Sequence, residues 1–440
     1  MSTASVESWR GWKGLLALLS LALCVLLWIN GLVGSLERPS VGNDLLLRQQ
    51  ELAVLAEPAI PPLLREPLLG GDARASLRLE LARQAAAADA PLNARHLLTW
   101  ALLEQGAGHQ DLARQILAGA SASADPDAAR AGTPLQQRLY CEQHQADPSS
   151  CSSAAAARNA MVRLLLITVA PVLLMLLGTL LLLRQAWLIG RRRLAPAPPL
   201  QGPALTLVDV ILLVAGGFVV LGELLTPLLV GPLLTRLLAP LAQTQPALQQ
   251  AAAVPLLYLA LMLGPLLILG LMLGGLGNTP AGGWLQWRWQ PLLLSLRAAV
   301  AQLLMVLPLV ALAGWLLEHL WADPGGSNPL LEMVLNAPQA WGLLLLASTA
   351  LVLAPLFEET LFRGVLLPVL SRRWGNAWGV TLSALCFALA HLSLGELLPL
   401  FVLGLGLGWL RLRSGRLGSC VVMHGLWNGL TFANLLLLAG

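Results

Sequence analysis

The chain has 440 residues, 57% of them apolar and only 11% charged, with a mean hydropathy of +0.71. A soluble domain carries about 25% charged residues, so this composition argues against a purely soluble, disordered or nucleic-acid-binding protein, and no nucleic-acid partner is expected. The net charge is +4, but the positions of the arginines say more than their number. Uncharged runs such as 164–183 meet the requirement of about 20 apolar residues for one bilayer crossing. They lack the alternation of a membrane barrel. The expected fold is all-α: a polytopic helical membrane protein of about eight or nine transmembrane helices, with a small extramembrane helical domain near the N-terminus.

The first apolar run, Gly14–Gly34, follows Arg10 and Lys13. It begins like a signal peptide but is longer than a typical apolar core and ends without a small-residue cleavage site. Residues 1–34 therefore read as a retained membrane anchor with a cytoplasmic N-terminus.

Residues 35–158 are richer in Arg, Asp, Glu and Ala. Segments 72–88 and 92–120 carry apolar residues at helical spacing, such as Leu77 with Leu81 and Leu98 with Leu102, and Gly106–Gly108 reads as a turn. A small extracytoplasmic domain of helical hairpins is expected, open to a protein partner. His96, His109 and His144 lack ligand spacing and read as surface histidines. Cys141 and Cys151 could pair if this stretch faces an oxidising compartment. Cys24, Cys386 and Cys420 lie in apolar stretches and read as inert packing residues.

Residues 159–203 hold a second transmembrane helix and a basic, proline-rich linker, LAPAPPLQGP at 194–203, which is stiff. Residues 204–440 form the main bundle, with spans near 206–228, 253–274, 297–320, 341–370, 376–393, 396–412 and 417–438. Arg191–Arg193, Arg288 with Arg297, Arg372 with Arg373, and Arg411, Arg413 and Arg416 fall on one side. This positive-inside pattern places those turns in the cytoplasm and 35–158 outside. A multi-pass protein of a bacterial plasma (inner) membrane follows. Glycines in GLGLGWL at 404–410, and Gly270, Gly274 and Gly275, read as small residues for close helix packing.

Charges at bilayer depth cost about 2.5–3.5 kcal/mol even on a lenient scale, so those that persist are informative. The densest cluster is Glu358, Glu359 and Arg363 in APLFEETLFRG, His391 in LCFALAHLSLG, and His424 with Asn428 in VVMHGLWNG. Adjacent glutamates point about 100° apart on a helix. Glu359 and Arg363 are spaced for an i,i+4 ion pair, which leaves Glu358 turned elsewhere. Phe362 and Phe387 stand i+4 and i−4 from Glu358 and His391 and read as packing walls. Glu358 lies 16 residues before Trp374 and His391 17 after it, so on antiparallel helices the two reach similar depth. His424 lies only 8 past Arg416 and should be shallower, unless tilt or a break at Gly425 closes the gap. Asp209 and Glu223 receive no role.

A carboxylate shielded from bulk water can take a proton from a water molecule, and histidine or asparagine can donate to a developing oxyanion. The set suits hydrolysis of a peptide carbonyl. Glu358, His391 and His424 could instead hold zinc with a water in the fourth position, although the HExxH signature is absent.

The three motifs resemble those of the CAAX prenyl endopeptidases and bacteriocin-processing enzymes, also called the lysostaphin-resistance-like or Abi family. That pattern is EExxxR, FxxxH, then HxxxN or HxxxD, here Glu358–Arg363, Phe387–His391 and His424–Asn428. The resemblance covers about 340–435. It implies an intramembrane protease in which Glu358 and His391 activate water, His424 and Asn428 form the oxyanion hole, and Glu359 with Arg363 support the site. It implies a membrane-associated peptide or protein substrate, CAAX-like and lipidated in the eukaryotic members. A metal-free mechanism is favoured and zinc left open. Two other readings stand beside this one. The chain could be a non-enzymatic scaffold or bacteriocin-immunity-type protein acting through 35–158, or a transporter with a Glu358–Arg363–His391 proton relay.

Overall fold

The computed structural model describes residues 11–38, 42–86, 92–119, 132–145, 151–321, 329–335 and 340–439. Arg10 lies outside them. Among the described residues every regular element is a helix. α1 (Trp12–Ser35) precedes six shorter helices: α2 (Gly42–Ala56), α3 (Pro62–Leu69), α4 (Ala73–Ala86), α5 (Ala94–Gly106), α6 (Gln110–Gly119) and α7 (Pro134–His144). Long helices follow: α8 (Ala154–Gly190), α9 (Leu207–Leu237), α10 (Pro246–Gly274), α11 (Leu292–Leu320), α12 (Ala340–Leu389), α13 (Leu394–Ser414) and α14 (Leu417–Ala439). Eight helices among the described residues are long and apolar enough to cross a membrane. The protein is an integral multi-pass membrane protein. α12 extends over 50 residues but turns at Gly375, where φ is 85° and ψ 163°. Its two limbs are the separate spans expected at 341–370 and 376–393, which accounts for nine expected spans against eight helices.

The chain divides into two compact units, Met1–Arg38 with Leu173–Leu435, and Pro39–Val172 with Leu436–Gly440. In the second, Leu47, Leu77, Leu81, Leu98, Leu102, Leu135 and Leu139 form the core. The helix starts are written in the sequence. Asn93 accepts from the His96 amide at 2.9 Å, and Thr133 and Gln136 form a capping box. Gln136 Nε2 also donates to Arg95 O at 2.8 Å and Thr99 Oγ1 at 3.0 Å, tying α7 to α5. Cys141 and Cys151 form a disulfide, with their Cα atoms 5.6 Å apart.

His109 and His144 are exposed, as expected of surface histidines, but His96 is not. It faces inward on α5, with Nε2 3.3 Å from Asp44 Oδ1. Burial lowers its pKa from 6.5 to about 4, against the pull of Asp44. Below pH 6.5 the unfolded chain takes up a proton that the folded unit refuses. This contribution to stability is complete above about pH 6.5 and declines by roughly 3 kcal/mol as pH falls to 4. Glu51, bonded to Arg95 at 2.6 Å, is shifted upward by burial and works in the opposite sense. The difference between wild type and His96→Gln isolates the histidine. Deuterium exchange of the α2 and α5 peptides at pH 7 and 4.5 should show acid-induced opening in wild type and less in the variant.

In the first unit, apolar side chains point both inward and outward. Leu213, Val219, Leu361, Val365 and Leu407 are enclosed in the core, whereas Leu229, Leu233, Leu271 and Leu312 are exposed, as lipid-facing positions are. The glycine reading holds for one motif only. A Cβ at Gly404, Gly406 or Gly408 would come within 2.9, 2.3 and 2.9 Å of Ala384, Val306 and Val380, whereas Gly270 and Gly274 face open space. The linker before α9 is extended, and its backbone carbonyls accept from arginines of the bundle. Arg372 Nη2 reaches Pro203 O at 2.6 Å, Arg411 Nη2 reaches Gln201 O at 2.8 Å, and Arg413 Nη2 reaches Ala195 O at 2.7 Å. The four prolines of this segment lack an N–H, so it carries fewer donors than acceptors. Asp209 has a structural use: it closes a capping box with Thr206 at the start of α9 and pairs with Lys13.

Candidate active site

The first limb of α12 carries Glu358 and Glu359, its second limb leads into His391, and α14 carries His424 and Asn428. Glu359 and Arg363 are fully buried and bonded at 2.9 Å, the i,i+4 pair expected from the spacing. Glu359 Oε1 also accepts from His424 Nδ1 at 2.9 Å. Arg363 extends further, to Gly404 O on α13 at 3.3 Å, and its Cζ lies 4.3 Å from the centre of the Phe387 ring. The same ring meets His391 and His424 at centroid distances of 4.7 and 5.6 Å. Phe387 is thus the wall around which the charged groups are arranged.

Glu358 is turned away from that pair. Tyr258 on α10 donates its hydroxyl to Glu358 Oε1 at 3.2 Å. Glu358 Oε2 has no hydrogen-bond partner and lies 3.9 Å from both His391 Nε2 and His424 Nε2. His391 Nδ1 lies 2.7 Å from Phe387 O. A carbonyl only accepts, so that nitrogen carries the proton. His424 Nδ1 likewise donates to the Glu359 carboxylate. Glu358 Oε2, His391 Nε2 and His424 Nε2 therefore face one another across one region of the site. Side-chain exposure falls from 22% at His391 and 15% at Glu358 to 3% at His424, so the site opens on the Glu358–His391 side.

Asn428 Nδ2 donates to Ala350 O at 2.7 Å. The first limb of α12 widens to π geometry at Thr349–Leu353, where the Ala354 amide bonds Thr349 O. The next residue, Pro355, has no N–H. Ala350 O therefore has no partner within its own helix, and Asn428 supplies one, leaving its second N–H free.

The depth of His424 is also resolved. α14 is unbroken at Gly425. A Cβ there would stand 2.7 Å from Leu351 O, so the glycine lets α14 approach α12 rather than breaking it. A Cβ at Gly364 would touch Leu417 at 3.3 Å, which puts those two residues level. The limb then runs ten residues, about 15 Å, beyond Leu417 to Trp374. Measuring depth from Trp374 makes His424 look too shallow for that reason.

Residues 340–430 match the family described as type II CAAX prenyl endopeptidase, Rce1-like. This segment is an Rce1-like domain of the CAAX-type intramembrane protease family. Residues 42–162 match a family described only as a domain of unknown function. An uncharacterized 24.3 kDa protein of Escherichia coli is 42% identical over 81 residues, which are 17% of this chain and 37% of that protein. The chain thus spans little more than a third of that relative's length. No solved structure matches.

All six charged and polar motif residues lie within the Rce1-like domain, but their surroundings reach beyond it. Tyr258, which the motifs did not reveal, comes from α10. Its one sequence signal is a phenol within an otherwise apolar span. Glu223 on α9 lies near enough to Glu358 for the two carboxylates to interact. The zinc alternative fits less well. Both imidazoles turn Nε2 inward as metal ligands do, yet among the described residues no group of three or more His, Cys, Asp or Glu is spaced to hold a metal ion.

Proposed function

We propose that the protein is an intramembrane endopeptidase in which Glu358 and His391 activate a water molecule against a peptide carbonyl. The observation that supports this reading is the approach of Glu358 Oε2 to both His391 Nε2 and His424 Nε2, at 3.9 Å each. Glu358 Oε2 takes a proton from the water, whose oxygen bonds to the carbonyl carbon and leaves negative charge on the carbonyl oxygen. That proton then passes to the departing amine as the C–N bond breaks. Asn428, through its second N–H, and His424 face the developing oxyanion.

The substrate on this reading is membrane-associated, with a lipidated CAAX-like C-terminus as the first candidate. The bundle lies in a bacterial plasma membrane, with the N-terminus in the cytoplasm and residues 35–158 outside. The Cys141–Cys151 disulfide supports that side for the helical unit, since such bonds persist in oxidising compartments. The unit's separate core leaves it suited to binding a protein partner.

The test uses the full chain in lipid nanodiscs with a fluorescence-quenched farnesylated CAAX peptide and the same peptide unlipidated. It also compares membrane proteomes of cells carrying wild type or Glu358→Gln. Cleavage of either peptide, or proteome fragments present only with wild type, is expected. Intact peptides and identical proteomes would favour a scaffold or immunity-type role.

A further inference from the structure

α1 lies outside the Rce1-like domain, yet its C-terminal end meets the turn that follows His391. The backbone leaves α12 at Leu389 and enters α13 at Leu394. Within this short turn Leu392 has a φ of 50°. A bulky L-residue rarely adopts that conformation, and it persists only where the surroundings fix it.

Three contacts from α1 and the residues just after it do so. Arg38 Nη2 donates to Leu392 O at 3.2 Å and to Gly31 O at 3.3 Å, bridging the turn to the helix. Ser35 Oγ donates to Leu32 O at 2.7 Å and accepts from the Leu394 amide at 3.1 Å. Gly31 leaves a notch for the Leu392 side chain, since a Cβ there would come within 2.9 Å of Leu392 Cδ2. These contacts act on the residues immediately after His391, whose own Nδ1 is tied to Phe387 O. The imidazole is thereby held from both sides along the chain.

We propose that α1 is a positioning element for the site: Arg38, Ser35 and the notch at Gly31 lock the turn that presents His391 Nε2 to Glu358. The proposal rests on reading Glu358 and His391 as the water-activating pair. Displacing a reacting group by about 1 Å can cost on the order of a hundredfold in rate, whereas substrate binding made elsewhere is untouched.

The test uses full-length Arg38→Ala, Arg38→Lys and Gly31→Val, with two readouts. The first is deuterium uptake by the peptide spanning residues 388–394. The second is kcat and KM on whichever peptide wild type cleaves. Arg38→Ala and Gly31→Val should raise uptake there, with the α14 peptides unchanged. Both should lower kcat by roughly tenfold to a hundredfold while KM stays within about twofold. Arg38→Lys, which keeps a donor, should fall between wild type and Arg38→Ala. Unchanged uptake in both Arg38→Ala and Gly31→Val would overturn the lock, whether or not wild type cleaves any peptide. Raised uptake with an unchanged kcat would overturn the positioning role. Wild type inactive on every peptide, with uptake raised in the variants, would count against the peptidase reading and leave the lock standing.

Discussion

Replacing Glu358 with glutamine is expected to lower peptide hydrolysis by about a hundredfold to ten-thousandfold, the usual contribution of a positioned general base, with the fold retained. The geometry explains both halves of that expectation. The amide oxygen of glutamine still accepts from the Tyr258 hydroxyl, as Glu358 Oε1 does at 3.2 Å. The new NH2 group points where Oε2 stands, 3.9 Å from His391 Nε2 and His424 Nε2. The substitution is well accommodated, and what disappears is the capacity to take a proton from water. The measurement is kcat on the cleaved peptide beside a thermal unfolding midpoint. A glutamine variant with the wild-type rate would end the glutamate mechanism. A variant that fails to fold would contradict the hydrogen-bond pattern.

The second large effect concerns stability. Arg363→Met is expected to cost about 3–5 kcal/mol, as breaking a buried ion pair from one side does. Arg363 and Glu359 are both fully buried, so the stranded Glu359 carboxylate keeps only the His424 Nδ1–H at 2.9 Å. The arginine also loses its bond to Gly404 O and its place over the Phe387 ring. Methionine fills much of the same volume, which limits any cavity effect. Glu359→Gln combined with Arg363→Met should recover part of the loss, because no unpaired charge then remains. Thermal unfolding of the two single variants and the double variant in detergent gives the coupling energy directly. A double variant as unstable as the sum of the singles would show that the charges are not paired energetically.

Much of the site was legible because its residues obey helical arithmetic. Glu359 and Arg363 announced their pairing by spacing, and Glu358 and His391 their common depth by nearly equal distance from Trp374. Other features had no local signature. Tyr258 is 100 residues from Glu358, and only folding makes a lone phenol its partner. The π-turn at Thr349–Leu353 follows from packing rather than pattern, so the bond from Asn428 to Ala350 O could not be foreseen. The protrusion of α12 beyond Leu417 defeated the depth argument for His424. His96 read as a surface residue because it lacks ligand spacing, whereas the fold buries it and brings it to Asp44 of α2, 52 residues upstream. The arginines of the bundle carried no signal that Arg372, Arg411 and Arg413 bind linker carbonyls.

The fixed tautomers of His391 and His424 carry a consequence for chemical probes. Each ring spends its Nδ1–H on the protein, at Phe387 O and Glu359 Oε1, and turns Nε2 to the Glu358 carboxylate. Inhibitors built around an amidine, hydroxamic acid or protonated amine bring the hydrogens that Glu358 Oε2, which has no hydrogen-bond partner, can accept. Carboxylate or phosphonate warheads would bring a second negative charge beside Glu358.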